Sequence, residues 1–242
     1  MEWTGSGRIV AVRPHGETSA VVEILTGEHG RHAGLVRGGR SRSLRPVLQP
    51  GNRVRAVWRA RLEDHLGGFQ VEAEDLSAGV LMEDPLALSG LNAACAMAST
   101  CLPEREPYPA VAEAFEVLLG ALENPDLWPP LYVSWEAGLL ADLGYGLDLR
   151  KCAGTGQTDN LVYVSPKSGR AVSGEAGAPY HDKMLALPGF MAGGGAISPG
   201  DVSAGLKLTA YFIERRVLWP SDKRLPDARA RMIERLKTGG LL

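Results

Sequence analysis

Asn52-Arg53-Val54-Arg55-Ala56-Val57-Trp58-Arg59-Ala60-Arg61-Leu62 alternates with period two. Arg53, Arg55, Val57, Arg59 and Arg61 fall on one side, and Val54, Ala56, Trp58, Ala60 and Leu62 on the other. Successive side chains of a strand point to opposite faces, so the stretch reads as a β-strand with one apolar face and one almost purely guanidinium face. It ends a longer island, Arg31 to Arg61, that holds nine arginines and no Asp, Glu or Lys in a chain of formal net charge −2. A local +9 in an otherwise acidic chain marks a surface for something negative, because composition alone would scatter the charges.

Working outward, residues 1–78 read as all-β. Arg8 to Arg13 and Ser19 to Thr26 are β-branched runs bounded by Gly and Pro, and His32 to Val36 makes a third strand. After the Arg-rich fourth strand, a turn at His65-Leu66-Gly67-Gly68 leads into a fifth, Phe69 to Leu76. Five short strands with the long connection between the third and fourth suit an OB-type barrel. From Asp84-Pro85 the period becomes helical: Leu88, Leu91, Cys95, Ala98 and Leu102 define one helix, Tyr108 to Leu122 a second, and Pro130 to Leu143 a third. Residues 147–198 are loop-rich, with a short hairpin predicted from Leu161 to Ser165 and Ala171 to Ser173 and a hinge at Gly193-Gly194-Gly195. A last helical section starts at Asp201, read as its N-cap, and resumes from Pro226 to Lys237. The fold class is therefore multidomain α+β: an OB-type nucleic-acid-binding domain over residues 1–79, then a helical domain over 80–242 that includes the 147–198 lobe.

Bulk properties narrow the function. Residues 81–150 carry 2 basic and 11 acidic side chains, so a polyanion is expected at the basic ends rather than this acidic middle. The start of the chain lacks a secretory pattern, and no apolar stretch approaches the ~18 residues of a membrane span. Three cysteines without a CxxC pair fit a reducing compartment. Neither a phosphate-binding GxxxxGK[ST] or GxGxxG pattern nor a GxSxG nucleophile elbow is present, so the chain reads as a non-enzyme without a cofactor.

Gly38-Gly39-Arg40-Ser41-Arg42-Ser43-Leu44-Arg45 reads as a flexible, donor-rich loop, and Arg37, Arg40, Arg42 and Arg45 have no acid nearby in sequence. Arginine suits bidentate phosphate contact. In the fourth strand, a hairpin turning at 65–68 would set Arg61 opposite Glu72 and Arg59 opposite Glu74, partly occupying those two; Arg53 and Arg55 favour phosphate, and Arg59 and Arg61 remain DNA-binding candidates balanced between the two uses. About five phosphate contacts would give a log–log salt slope of about −3.5 on single strands or −4.5 on duplex. Trp58 lies on the apolar face and reads as core. That matters, because sequence-tolerant single-strand binders interleave aromatics with their basic groove. Arg215, Arg216 and Arg229 form a secondary basic set. The five histidines lack metal-binding spacing and read as surface groups.

The assembled pieces resemble the bacterial recombination mediator family RecO over essentially the whole chain. The resemblance rests on the basic stretch Gly34-Leu35-Val36-Arg37-Gly38-Gly39-Arg40-Ser41, then Leu139-Leu140-Ala141-Asp142-Leu143-Gly144-Tyr145-Gly146-Leu147-Asp148-Leu149 leading to Cys152. It continues in Tyr163-Val164-Ser165-Pro166-Lys167-Ser168-Gly169-Arg170, Arg215-Arg216-Val217-Leu218 and Leu225-Pro226-Asp227-Ala228-Arg229. It implies a non-catalytic repair protein of the RecF pathway that binds single- and double-stranded DNA and anneals complementary strands. It also implies pairing with RecR, contact with the C-terminal tail of single-strand binding protein, assistance to RecA loading, and a cytoplasmic, nucleoid-associated location. Many relatives carry a four-cysteine zinc lobe. Here Cys152 remains, but Thr155, Ser173 and Ala176 stand near the other three positions, and His181 is a poor substitute, so the lobe is expected to hold by packing Leu161, Tyr163, Val172 and Tyr180. Two other readings stay open: an OB-fold RNA-binding protein, and a scaffold for an acidic protein tail.

Overall fold

The structure is a computed structural model that describes residues 1–62, 64–194 and 197–242. Five strands open it: β1 (Glu2–His15), β2 (Ser19–Thr26), β3 (Gly30–Val36), β4 (Arg53–Arg59) and β5 (Gly68–Asp75). They close into a barrel in the order β1-β2-β3-β5-β4. β1 is longer than its apolar run because its first half, Glu2 to Arg8, pairs antiparallel with β4, while Arg8 to His15 pairs with β2. β3 and β5 close the barrel in parallel through one register pair, Leu35 with Gly68. That single pair closes the sheet on itself.

The alternation of β4 carries directly into packing. Val54 and Ala56 are fully buried and Trp58 is 3% exposed, while Arg55 and Arg59 face solvent. Burying each large side chain of this core, such as Ile9, Val22, Ile24 and Phe69, stabilises the fold by roughly 1.5–3 kcal/mol. Trp58 donates its indole N–H to the Leu66 carbonyl at 3.1 Å. Gly67 sits at φ +65, where a Cβ would come within 2.5 Å of that indole nitrogen. Only glycine fits there.

His32 departs from the expected surface position. It shares the inner face of β3 with Gly34 and Val36, is 5% exposed, and lies edge-on to Trp58 at 4.6 Å and Trp3 at 5.2 Å between ring centroids. Burial, with the nearby Arg105 charge, pushes its pKa down to about 4.

Backbone contacts divide the chain into two compact units, Met1–Pro125 with Pro226–Met232, and Asp126–Leu225 with Ile233–Leu242. The first unit adds α1 (Ser77–Leu81), α2 (Pro85–Cys101) and α3 (Pro109–Ala121) to the barrel. Asp84 caps α2 by accepting from the N–H groups of Leu86 and Ala87, with Pro85 pre-set for the first turn. The buried face of α2 is rich in small residues (Ala87, Gly90, Ala93, Ala94, Ala98), which lets it approach β1 closely. Buried charge also ties helices to barrel. Glu23, 2% exposed, pairs with Arg13 and Arg31 and accepts from the Ser99 hydroxyl at 2.7 Å. Arg31 in turn donates to the Leu102 carbonyl at 2.9 Å. At Gly30 (φ +64) a Cβ would fall 2.0 Å from the Glu106 carbonyl oxygen.

The second unit holds α4 (Trp128–Leu140), a three-stranded sheet of β6 (Leu161–Val164), β7 (Ala171–Ser173) and β8 (Leu185–Ala186) in the order β7-β6-β8, the single turn α5 (Gly174–Gly177), and α6 (Pro199–Phe212). The last helix, α7 (Asp227–Thr238), belongs to both units. Ser198, not Asp201, is the N-cap of α6. Asp201 sits at the third position and its carboxylate accepts a hydrogen bond from the Ser198 N–H at 3.0 Å, completing a capping box. The hinge expected at Gly193-Gly194-Gly195 ends on Gly195, outside the described residues. Leu161 and Val172 pack as anticipated, but Tyr180 is 59% exposed and holds nothing together.

Candidate nucleic-acid interface

The loop between β3 and β4 is a pinned platform rather than a flexible tether. Arg45 N–H bonds to Ser41 O at 3.0 Å and Leu48 N–H to Leu44 O at 2.8 Å, giving it helical turns. Leu48 is 4% exposed, and Leu44 and Val47 pack against the barrel core. Asn52, 1% exposed, donates to the Pro46 and Val47 carbonyls at 2.9 and 3.0 Å and accepts from Ala78 N–H at 3.2 Å. The sequence missed this because Leu44, Val47 and Leu48 fall between arginines and glycines, where local composition reads as loop.

On that platform Arg37, Arg42 and Arg45 are exposed and make no ion pair or side-chain hydrogen bond among the described residues. Arg40 is exposed too, but it donates to the Gly16 and Glu17 carbonyls at 3.0 Å each and so staples the loop to the β1–β2 turn. Those carbonyls leave its charge uncompensated. Two grooves flank the loop. One, of about 760 Å³, has Leu35, Leu44, Val57, Phe69 and Val71 as its floor and Arg37, Arg59 and Arg61 at its rim. The other, of about 460 Å³, is bordered by Arg40 and Arg45.

The strand arginines divide differently from expectation. β4 pairs with β5 so that Arg55 faces Glu72, Val57 faces Gln70 and Arg59 faces Gly68. The pairing is six residues out from a hairpin turning at 65–68, because the chain leaves the ladder after Arg59 and re-enters only at Gly68. Arg53, expected to be open, is held by Glu74 at 3.3 Å and by Glu116 of α3 at 3.4 Å. Glu116 and Asp75 also clasp Arg8, whose burial works against its charge, and together they hold its pKa above the ordinary value. Arg59 pairs with Glu2 of β1 at 2.9 Å, not with Glu74. That pair is exposed on both sides and screened by water and salt, so a polyanion competes for it easily. Arg55 and Arg61 are exposed without an ion pair among the described residues. Thus Arg55 is without an ion pair among the described residues although the register sets it opposite Glu72, Arg61 is open where a Glu72 partner was expected, and Arg53 is committed.

The basic C-terminal set also separates. Arg229 is 3% exposed and so is removed from solvent. Arg216 lies over the Phe212 ring at 4.8 Å. Arg215 is exposed and sits between two rings, 4.4 Å from the centroid of Tyr211 and 4.7 Å from that of Trp219. Reading Arg215 as charge alone missed those rings, although Lys207, Tyr211, Arg215 and Trp219 recur every fourth residue.

In the loop-rich lobe, Cys152 is 1% exposed, with its Sγ 3.4 Å from Ser173 Oγ and accepting from Ser173 N–H at 3.3 Å. Burial raises the thiol pKa, but hydrogen bonds from Ser173 and Thr155 outweigh it and bring the value to about 6. A Cβ on Gly154 would lie 3.7 Å from Ala176 Cβ and 4.0 Å from Cys152 Sγ, so the lobe gathers these positions. His181 pairs instead with Asp182 at 2.9 Å. Among the described residues no group of three or more His, Cys, Asp or Glu is placed to hold a metal ion, and no helix is long and apolar enough to cross a membrane.

Comparison with known proteins matches both parts of the chain. Residues 1–75 match the family described as Recombination protein O N terminal, and residues 82–225 match Recombination protein O C terminal. The chain is 53% identical over 243 residues, covering 100% of each chain, to the DNA repair protein RecO of Phenylobacterium zucineum. It is 49% identical over 239 residues to the protein of the same name from Rhodospirillum centenum, covering 98% of this chain and 95% of that one. The corresponding Methylobacterium nodulans protein is 53% identical over 235 residues, 95% of each chain.

Proposed function

The chain belongs to the recombination protein O family of DNA repair proteins, and from that premise we propose that it is a DNA-binding mediator that works by holding backbone phosphates. The observation that carries this is the pinned loop, which presents Arg37, Arg42 and Arg45 to solvent without a carboxylate partner among the described residues. Arg40 adds its charge, Arg55 and Arg61 extend the surface along the barrel, and Arg59 joins by exchanging Glu2 for phosphate. A backbone already pinned loses little freedom on binding, and phosphate contacts position a strand without reading its sequence. Single strands and duplex are both ligands of such a surface. Annealing follows when two strands are held with their charge neutralised and their base edges free.

In this reading the 1–79 part is the nucleic-acid binder and the 80–242 part docks RecR, the tail of single-strand binding protein and, through them, RecA. The protein acts in the cytoplasm on the nucleoid. It is not an enzyme: without a nucleotide-binding motif, its contribution to strand exchange is binding energy. The experiment is annealing of complementary strands coated with single-strand binding protein, with no ATP present. The wild-type chain accelerates annealing, and Arg37→Glu with Arg42→Glu loses the acceleration while remaining folded. No acceleration by the wild type, or none lost in the variant, overturns the proposal.

A second reading has one observation in its favour, the apolar floor of the Arg37–Arg59–Arg61 groove. An acidic protein tail with an apolar end matches that floor and rim, and it would compete with DNA for the same arginines.

A further inference from the structure

Among the described residues, the barrel surface carries no exposed Phe, Tyr or Trp ring among its cations, the ring that unpaired strands usually find on a protein. Trp58 and Phe69 are 3% and 5% exposed and belong to the core. Such rings occur instead along α6 and its continuation. Lys207 and Arg215 are exposed, Tyr211 is half-buried, and Trp219 is 53% exposed. Arg215 covers the Trp219 ring at 4.7 Å and the Tyr211 ring at 4.4 Å. The cation and both rings therefore form one stack, held by the four-residue spacing that brings side chains together on a helix. Arg215 forms no ion pair among the described residues, although Glu214 is its neighbour in sequence. Two features fix the geometry: the stack crosses a π-helical stretch, Ile213–Leu218, and Trp219 opens a 3₁₀ turn, Trp219–Ser221, that ends at the left-handed Asp222. π-helical turns are rare and concentrate near functional sites.

We propose that the Tyr211–Arg215–Trp219 stack is a second nucleic-acid site, selective for unpaired DNA, on which a base continues the stack over Trp219 while Lys207 and Arg215 meet its phosphates. This deepens the mediator reading and rests on it. A duplex keeps its base faces covered and gains nothing from an exposed ring, whereas an unpaired base stacks whatever its identity. The loop and the stack then have different tasks: the loop holds any backbone, and the stack recognises strands that still lack a partner.

The test uses Trp219 as its own reporter. Of the five tryptophans, Trp58, Trp128 and Trp135 are at most 3% exposed and Trp3 is half-buried. Titrating the full chain with oligo-thymidylate is expected to quench emission, and Trp219→Phe is expected to lose most of that quench. Trp219→Ala should weaken single-strand binding by about fivefold or more, the effect of one lost base stack, with duplex binding within about twofold of wild type. Arg37→Glu with Arg42→Glu should weaken both ligands yet leave the Trp219 quench at saturation. Single-strand and duplex binding equally affected, or both unaffected, in Trp219→Ala overturns the proposal. So does a quench that persists in Trp219→Phe, or one produced by an acidic peptide and not by the oligonucleotide. If the loop variant binds normally while Trp219→Ala does not, the loop's assigned role fails and the stack stands.

Discussion

Replacing Arg37, Arg42 and Arg45 together by alanine is the sharpest probe of the barrel surface. Each side chain is exposed, none is bound within the protein among the described residues, and Leu44, Val47, Leu48 and Asn52 anchor the loop without them. The fold should therefore survive. Each phosphate contact adds about 0.9 to the magnitude of the log–log salt slope on duplex and about 0.7 on single strands. Losing three contacts lowers the slope by about 2.7 and 2.1 respectively. Over a fourfold rise in salt, from about 50 to 200 mM, the affinity loss shrinks by about 40-fold on duplex and about 20-fold on single strands. Fluorescence anisotropy of labelled strands across a potassium chloride series measures it. Arg53→Ala is the internal comparison, because Arg53 is shared between Glu74 and Glu116 and should leave the slope unchanged. A triple variant with the wild-type slope, or an Arg53→Ala slope that falls as far per residue, refutes the assignment.

Two further outcomes concern the scaffold. Glu23→Ala leaves Arg31, whose side chain is 12% exposed, without its carboxylate, and should cost about 3–5 kcal/mol in urea unfolding; a loss under about 1 kcal/mol would mean that the buried cluster is dispensable. His32 has a folded-state pKa of about 4 against an ordinary 6.5, so its contribution is fully present above pH 6.5 and is lost as pH falls from there to about 4. That loss is roughly 3 kcal/mol and should be absent from His32→Phe, which keeps a ring in the aromatic cluster; an identical acid profile for variant and wild type would show that His32 does not titrate as inferred.

The alternation around Trp58 made the barrel strand legible, and the Arg37 to Arg45 cluster made the basic loop legible. Both signals are local: period two survives any register, and a charge cluster needs no partner to be visible. What escaped depended on distance along the chain. Arg53 is occupied by Glu116, and Arg59 by Glu2, and neither carboxylate is near them in sequence. The β4–β5 register could not be read because residues 60–67 leave the ladder around the Trp58–Leu66 hydrogen bond and the left-handed Gly67. His32 was readable, since period two puts it on the same face as Gly34 and Val36, but polarity was allowed to outweigh position. Arg229 shows the reverse error, a charge counted as surface that the fold buries.

Gly30 pressed against the Glu106 carbonyl, Arg8 shared by Asp75 and Glu116, and Glu23 reaching Ser99 have a joint consequence for modularity. The β-rich segment is not portable. A cut at residue 79 would follow the change of periodicity yet sever Arg8 from Glu116, Arg31 from Leu102 and Glu23 from Ser99, removing one carboxylate from Arg8 and uncovering the buried Glu23–Arg31 pair. Transplanting the barrel therefore means carrying α2 and α3 with it.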